Sequence, residues 1–123
     1  PFLETDAVKQ SDYIRIMNYI SSVGIYSNDL PVLSDGRIYE YEDDAPITNA
    51  DAMILFTAAE CGNKVPQLKG IYRSPYTDVK DSDVNVGYYA IAHALLDSKA
   101  TELHPDEAFT YADMIKQIYN YLA

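Results

Sequence analysis

The side chains that could take part in catalysis are few and widely separated in this chain of 123 residues. His93 falls within a predicted helix and His104 precedes a Pro-Asp turn. A single helical histidine is more often packed or solvated than catalytic. Cys61, the only cysteine, lies at the C-terminus of a predicted helix, and the negative end of the helix dipole disfavours a thiolate. The chain has no nucleophile elbow, phosphate-binding loop or His-Glu-x-x-His motif, so we predict no catalysis and no cofactor.

Acidic residues at regular spacing raise the alternative of a calcium loop. The segment 31–42 has acids at places five and twelve of such a loop, but Pro31 and Leu33 at places one and three supply no side-chain oxygen. A second series of possible ligands comprises Asp78, Asp81, Asp83 and Asn85. It lacks the bidentate acid at place twelve that closes a calcium loop. The simpler interpretation is that these acids favour the start of the next helix, and we predict no metal site.

Two similar phrases organise the chain: DAPITNAD at 44–51 and DEAFTYAD at 106–113. Their threonines lie 62 residues apart (110 minus 48), which is the spacing of one supersecondary unit used twice. Each phrase is typical of a helix start with a capping box. The threonine side chain caps a backbone N–H, and the Asp three residues later bonds back. The expected pairs are Thr48 with Asp51 and Thr110 with Asp113.

Helical periodicity predicts four helices, and hence an all-α fold. The first runs from about 11 to 23 and ends at Gly24, the second follows Thr48 to 61, the third covers about 85–96, and the last follows Thr110. The predicted core stripes are Tyr13, Ile16, Met17, Ile20 and Val23; Ala50, Met53, Phe56 and Thr57; and Ala112, Ile115, Ile118, Tyr119 and Leu122. Six of the 12 tyrosines lie outside the clearest stripes: Tyr39, Tyr41, Tyr72, Tyr76, Tyr88 and Tyr111.

Composition limits the class of partner. With 9 basic and 19 acidic residues the net charge is −10, which argues against nucleic acid and against anionic membrane surfaces. The longest apolar run, 52–56, is far too short for a membrane span. At 48% apolar residues, the chain can bury a core as one unit or as two small repeats that share it.

The ordered series of these segments resembles the S-layer homology repeat. The stretch 76–79 (YTDV) stands where that family opens with Phe-x-Asp-Val. The stretch 103–113 is similar to its Asn-Pro turn followed by Leu-Thr-Arg-Ala-Glu, and 46–51 matches that ending in the first half. The resemblance covers nearly the whole chain as two divergent repeats, 1–62 and 74–123, with a joint at 63–73.

The resemblance implies a fold and a function. Its fold would be two helix-loop-helix repeats packed as a small bundle, where the family usually has three repeats around a pseudo-threefold axis. Its function would be the non-catalytic anchoring of an exported bacterial protein to anionic, often pyruvylated, cell-wall polysaccharide. The expected location is therefore extracellular, at the bacterial surface or wall.

The resemblance also indicates where a ligand would bind. In the family, the motif arginine lies near grooves between repeats, where a guanidinium can pair with a ligand carboxylate. Here Asn49 and Tyr111 occupy its places, so any cation must come from elsewhere. The candidate ligand-binding residues are Asn49, Asp51, Tyr111, Asp113, Arg37 and Arg73. Lys64 and Lys69 near the joint are further basic candidates. Tyrosines could stack on sugar faces.

A second interpretation is a divergent structural or protein-interaction domain that has lost glycan binding. Two repeats in place of three would leave an apolar face uncovered. We expect that face to find a partner by self-association or through a third repeat of a longer parent protein.

Overall fold

The computed structural model describes residues 3–26, 30–31, 39–62, 65 and 71–122. Its four helices are α1 (Gln10–Ile20), α2 (Asn49–Cys61), α3 (Val86–Leu95) and α4 (Tyr111–Leu122). Within these ranges the backbone forms no β-strand, and only isolated bridges join its segments. The predicted all-α class is confirmed. None of the helices in the described part of the chain is both long and apolar enough to cross a membrane.

Both predicted capping boxes are present. Thr48 Oγ1 accepts a hydrogen bond from the Asp51 amide at 3.1 Å, and Asp51 Oδ2 accepts one from the Thr48 amide at 3.0 Å. Thr110 and Asp113 form the same pair at 3.2 and 3.0 Å. The two phrases therefore start α2 and α4 as the sequence predicted. At the other end of α2, Gly62 adopts φ +96°, as a glycine C-cap does.

The start of α1 joins these two helix starts in a closed ring. The Val8 amide donates to the Phe109 carbonyl at 2.8 Å, the Ile47 amide to Val8 at 3.0 Å, and the Phe109 amide to Ile47 at 3.0 Å. The three side chains are buried at the centre, with exposed fractions of 0%, 1% and 5%. Each residue directly precedes the N-cap of a helix. The sequence analysis recognised two repeated starts, whereas the structure has three.

Two outer sets of hydrogen bonds join the same three segments in the reverse cyclic order. At the first residue of each helix, Gln10 donates to Ala45 at 2.8 Å, Asn49 to Glu107 at 2.9 Å and Tyr111 to Asp6 at 3.0 Å. One residue later, Ser11, Ala50 and Ala112 donate to Asp43, Pro105 and Glu4. Amides that a helix start leaves without intrahelical partners are thus satisfied by a neighbouring segment. We call residues 7–10, 46–49 and 108–111 the helix-start ring.

The ring relates the three helices by fixed offsets along the chain. Val8 corresponds to Ile47, 39 residues later (47 minus 8), and Ile47 corresponds to Phe109, 62 residues later (109 minus 47). Since the ring draws on both halves, the predicted repeats share one core. Most of the predicted joint lies outside the described residues.

Helix α2 is more deeply buried than the predicted single stripe. Every residue from 52 to 59 is buried, because α3 and α1 pack against the helix and Tyr121 of α4 contacts Phe56. The Thr57 hydroxyl donates to the Tyr88 carbonyl of α3 at 2.8 Å, and the Phe56 ring meets Tyr121 of α4 edge-on with centroids 5.3 Å apart. Gly87 allows α3 to pack closely, since a Cβ there would lie 2.9 Å from Val65 Cγ1.

Helix α1 ends three residues earlier than predicted. Its last residue is Ile20, and Val23 is 53% exposed. The Asn18 side chain pairs with both backbone groups of Ile25, while the amides of Val23 and Gly24 donate to the Ala59 carbonyl at 3.0 and 2.8 Å. These tertiary hydrogen bonds turn the chain out of the helix and against α2.

The predicted core stripe of α4 is wrong. Ile115, Tyr119 and Leu122 are 58%, 75% and 62% exposed, Ala112 is also exposed, and Ile118 is half-buried. The buried side chains are instead Tyr111, Met114 and Gln117. Helix α4 has apolar residues on two faces, and the structure turns the other one inward.

Three of the six tyrosines outside the predicted stripes are core residues. Tyr76, Tyr88 and Tyr111 have exposed fractions of 6%, 0% and 7%. The other three in that group, Tyr39, Tyr41 and Tyr72, are half-buried against the core. Burial raises the pKa of Tyr76 to about 12, with the nearby Asp78 carboxylate as a second cause.

Candidate ligand-binding groove

An open groove of about 750 Å³ lies between α2, α4 and the segment 96–104. We call it the α2–α4 groove. Helix α2 contributes Asn49 and Met53 from its first turns, and α4 contributes Asp113 and Lys116. Both sets are placed by the helix-start ring, because it fixes the two helices side by side at their N-termini.

Asn49 forms part of the groove wall and is committed to the fold. Its Nδ2 donates to the carbonyls of Leu103 and His104, both at 3.1 Å. Gln10, at the same place in α1, likewise bonds the backbone of Glu40 and Glu42 with its side-chain amide. In both helices the side chain of the first helical residue bonds the backbone of the segment that leads to the next helix start in the ring.

Tyr111, at the third equivalent place, does not line the groove. Its hydroxyl donates to Asp12 Oδ2 of α1 at 2.7 Å, and its ring is buried. This hydrogen bond to Asp12 and, secondarily, burial raise the pKa of Tyr111. Tyr111 therefore fastens α4 to α1.

The other predicted site residues lie in the capping boxes, away from the groove, or outside the described residues. Asp51 and Asp113 hold capping boxes, and Asp113 also lines the groove. Arg73 lies away from the groove and pairs with Asp81 at 3.6 Å. Arg37, Lys64 and Lys69 lie outside the described residues. Of the six candidates, the structure brings Asn49 and Asp113 together in the groove.

Several groove residues were missed by sequence reasoning. Lys116 and Asn120 are exposed on α4, and Lys99 comes from the segment 96–104. Lys116 forms no ion pair with the residues that the structure describes, whereas Lys99 pairs with Asp97 at 3.4 Å. For Lys116 and Asn120 the available signal was helical spacing, since they follow Asp113 by three and seven residues on one helix face.

Gln117 gives the groove a buried polar floor. Its Nε2 donates to the Tyr13 hydroxyl at 2.8 Å, and 8% of the residue is exposed. Its Oε1 has no hydrogen-bond partner among the described residues. A buried acceptor without a partner costs about 1–3 kcal/mol, so a donor that reached it would be stabilising.

One cluster at the groove rim has the side chains that could hold a metal ion. Asp78, Glu102 and His104 each place a ligand atom within 4.8 Å of the others. All three are exposed, and both Asp78 oxygens accept backbone amides, from Leu103 at 2.9 Å and His104 at 2.8 Å. These hydrogen bonds lower the Asp78 pKa. The same hydrogen bonds also connect the turn that precedes α3 to the groove wall.

The acids of the second series, at 78–85, serve local structure. Asp81 accepts the Ser74 amide at 2.7 Å, and Asp83 accepts the Asn85 amide at 2.8 Å. With Asp78 bonded to the 103–104 backbone, these carboxylates point to separate partners.

A second groove, of about 550 Å³, lies at the corresponding place beside α1. Ile14 there corresponds to Met53 in the first groove, and Tyr41 corresponds to Leu103. Its cation is Arg15, which pairs with Asp12 at 3.4 Å. A hydrogen bond to Asp43 raises the pKa of Tyr41.

Comparison with family models, with curated proteins and with solved structures gave no match to this chain.

Proposed function

We propose that this chain is a non-catalytic module of the S-layer homology type that binds anionic cell-wall polysaccharide and so anchors an exported bacterial protein at the cell surface. The observation that supports this most is the helix-start ring. The family usually forms a pseudo-threefold bundle of three repeats, and three helix starts in this chain exchange backbone hydrogen bonds in cyclic order.

The chemistry of the α2–α4 groove supports an acidic sugar as the ligand. Lys116 can pair with a carboxylate, as the missing motif arginine would have done. Asn120 and Ser98 offer hydrogen-bonding groups for sugar hydroxyls. In this proposal the cation comes from the second turn of α4 and not from the first residue of a helix.

The direct test is titration of purified, pyruvylated wall polysaccharide against the protein by calorimetry. Lys116→Ala should weaken binding about tenfold, as expected for the loss of one charge-assisted hydrogen bond. Lys80→Ala is the matched control, since Lys80 is exposed and lies outside both grooves. Equal polysaccharide affinity of the two variants would show that the α2–α4 groove is not the binding site.

Two further variants separate binding from folding. Tyr111→Phe removes the hydroxyl that Asp12 accepts, away from the groove, and should leave polysaccharide affinity unchanged. Asn49→Ala removes two hydrogen bonds to the groove wall, and should lower the free energy of unfolding together with affinity. A selective loss of affinity in Tyr111→Phe, with stability unchanged, would move the site to the α1–α4 contact.

A second candidate function is a structural or protein-interaction domain without glycan binding. The observation that favours it is that Asn49 and Tyr111 direct their polar groups to partners within the chain. A pull-down with cell-wall sacculi discriminates between the two. Binding that disappears when the wall polysaccharide is stripped supports anchoring, and no binding to intact sacculi supports the second function.

A further inference from the structure

The outer face of α4 carries a continuous apolar stripe that no described residue covers. Ala112, Ile115, Tyr119 and Leu122 recur at spacings of three, four and three residues, which places them on one side of the helix. Ile115, Tyr119 and Leu122 are 58%, 75% and 62% exposed. We call these four residues the outer stripe of α4. A contiguous stripe of this kind is typical of a packing surface.

The helix-start ring identifies what lies at the same positions on the other two helices. Ile115 corresponds to Met53 in α2 and to Ile14 in α1, and these side chains are only 8% and 6% exposed. The position that Ile115 occupies in α4 is therefore buried under other residues in both α2 and α1.

The position of Tyr119 is still more informative. Its counterpart in α2, Thr57, donates its hydroxyl to the Tyr88 carbonyl of α3 at 2.8 Å. Its counterpart in α1, Asn18, bonds both the amide and the carbonyl of Ile25. In both helices this side chain binds the backbone of a covering segment, whereas Tyr119 is 75% exposed.

The order of the ring indicates which segment should cover α4. Helix α2 is covered by the segment that leads into Phe109, and α1 is bonded by the segment that leads into Ile47. In the same order, α4 should be covered by the segment that leads into Val8. The last residues of that segment already lie beside α4, because the carbonyls of Glu4 and Asp6 accept hydrogen bonds from the amides of Ala112 and Tyr111 at 2.8 and 3.0 Å.

We propose that the outer stripe of α4 is the docking surface for a helix that the same polypeptide supplies on the N-terminal side of Pro1. Helix α3 is its counterpart: it begins 23 residues before Phe109 (109 minus 86) and ends 14 before it (109 minus 95). The same spacing before Val8 places the docking helix so that it ends about seven residues ahead of Pro1. Its apolar face packs on Ile115 and Leu122, and one of its carbonyls accepts the Tyr119 hydroxyl. This inference is independent of the proposed ligand.

The test compares this chain with the polypeptide that its gene encodes when about 30 preceding residues are included. Both forms carry Cys61→Ser, because Cys61 is exposed, and then either Tyr119→Cys or the control Tyr19→Cys. Tyr19 is 90% exposed on α1. Thiol alkylation at position 119 should be at least about tenfold slower in the longer form, while alkylation at position 19 should be unchanged.

Hydrogen exchange of the unsubstituted proteins provides a readout that does not depend on cysteine. Amides of α4 should gain protection in the longer form. Equal alkylation rates at position 119 in the two forms overturn the proposal, as does a gene with no helix-forming sequence at that distance. Protection of position 119 that appears in this chain alone and rises with its concentration also overturns it, because a second copy would then cover the stripe.

Discussion

Helices α2 and α4 begin in the same way and end in different surroundings. Both start with a Thr-Asp capping box, both occupy the helix-start ring, and both donate their first amides to a neighbouring segment. Yet every residue from 52 to 59 is buried, whereas seven of the twelve residues of α4 are exposed. The difference is α3, which covers α2 and has no described counterpart on α4. The start of a helix is thus decided locally, and its burial is decided by what packs on it.

The largest expected difference between the helices is at the corresponding pair Met53 and Ile115. Met53→Ala should lower the free energy of unfolding by about 2–5 kcal/mol, because the Met53 side chain is only 8% exposed and its truncation leaves a cavity. Ile115→Ala should change it by about 0.5 kcal/mol or less, as expected at a solvent-exposed site. Urea denaturation followed by circular dichroism measures both. Equal losses would mean that α4 is covered in solution.

A smaller difference is expected one turn later, at Thr57 and Tyr119. Thr57→Val removes the buried hydrogen bond that the Thr57 hydroxyl donates to the Tyr88 carbonyl, at a cost of about 1 kcal/mol. Tyr119→Phe should be neutral within about 0.5 kcal/mol, because the hydroxyl is in water. The comparison fails if Thr57→Val is as mild as Tyr119→Phe.

Loss of the N-cap should lower the free energy of unfolding by similar amounts in α2 and α4, in contrast to substitutions on the helix faces. Thr48→Ala and Thr110→Ala each remove one half of a capping box and should each cost about 1 kcal/mol. The matched controls are Thr48→Ser and Thr110→Ser, which keep the hydroxyl. A cost at Thr110 near zero, with a normal cost at Thr48, would show that the start of α4 frays in solution.

The smallest expected effect is the acid sensitivity of the segment that covers α2. Hydrogen bonds from the amides of Leu103 and His104 lower the Asp78 pKa in the folded protein. A carboxyl group with a depressed folded pKa contributes stability above its unfolded pKa, and loses it as the pH falls through the folded value. Unfolding free energy measured between pH 5 and about pH 2 should therefore fall less steeply in Asp78→Asn than in the unsubstituted protein. Parallel curves would show that these hydrogen bonds are not maintained in solution.

Sequence reasoning was most successful where the signal is local. The two capping boxes, the Gly62 end of α2 and the approximate extent of α3 were predicted from neighbouring residues, because a cap depends on side chains within one turn. It was least successful for the faces of α4, where two apolar stripes compete. Periodicity could not decide between Ile115-Tyr119-Leu122 and the stripe that includes Met114, since both repeat at helical spacing.

Sequence reasoning named some of the residues that line the groove. Asn49 and Asp113 do line the groove, but the fold takes Tyr111 away from it to bond Asp12, a residue 99 positions distant in the chain. Lys116 and Gln117 became candidates only when α4 was placed beside α2. Their positions depend on long-range packing, which a single sequence does not encode in any local pattern.

The sequence by itself determined the all-α class and the starting points of α2 and α4, because backbone amides at a helix start must be capped and only certain side chains can do so. The tertiary structure alone decided that the start of α1 belongs with those two, since Val8 carries no cap motif. It is related to Ile47 and Phe109 by backbone hydrogen bonds that any residue type except proline can make. The tertiary structure also decided which face of α4 is buried. Burial depends on which segments come to lie against a helix, and that is settled by the closure of the ring.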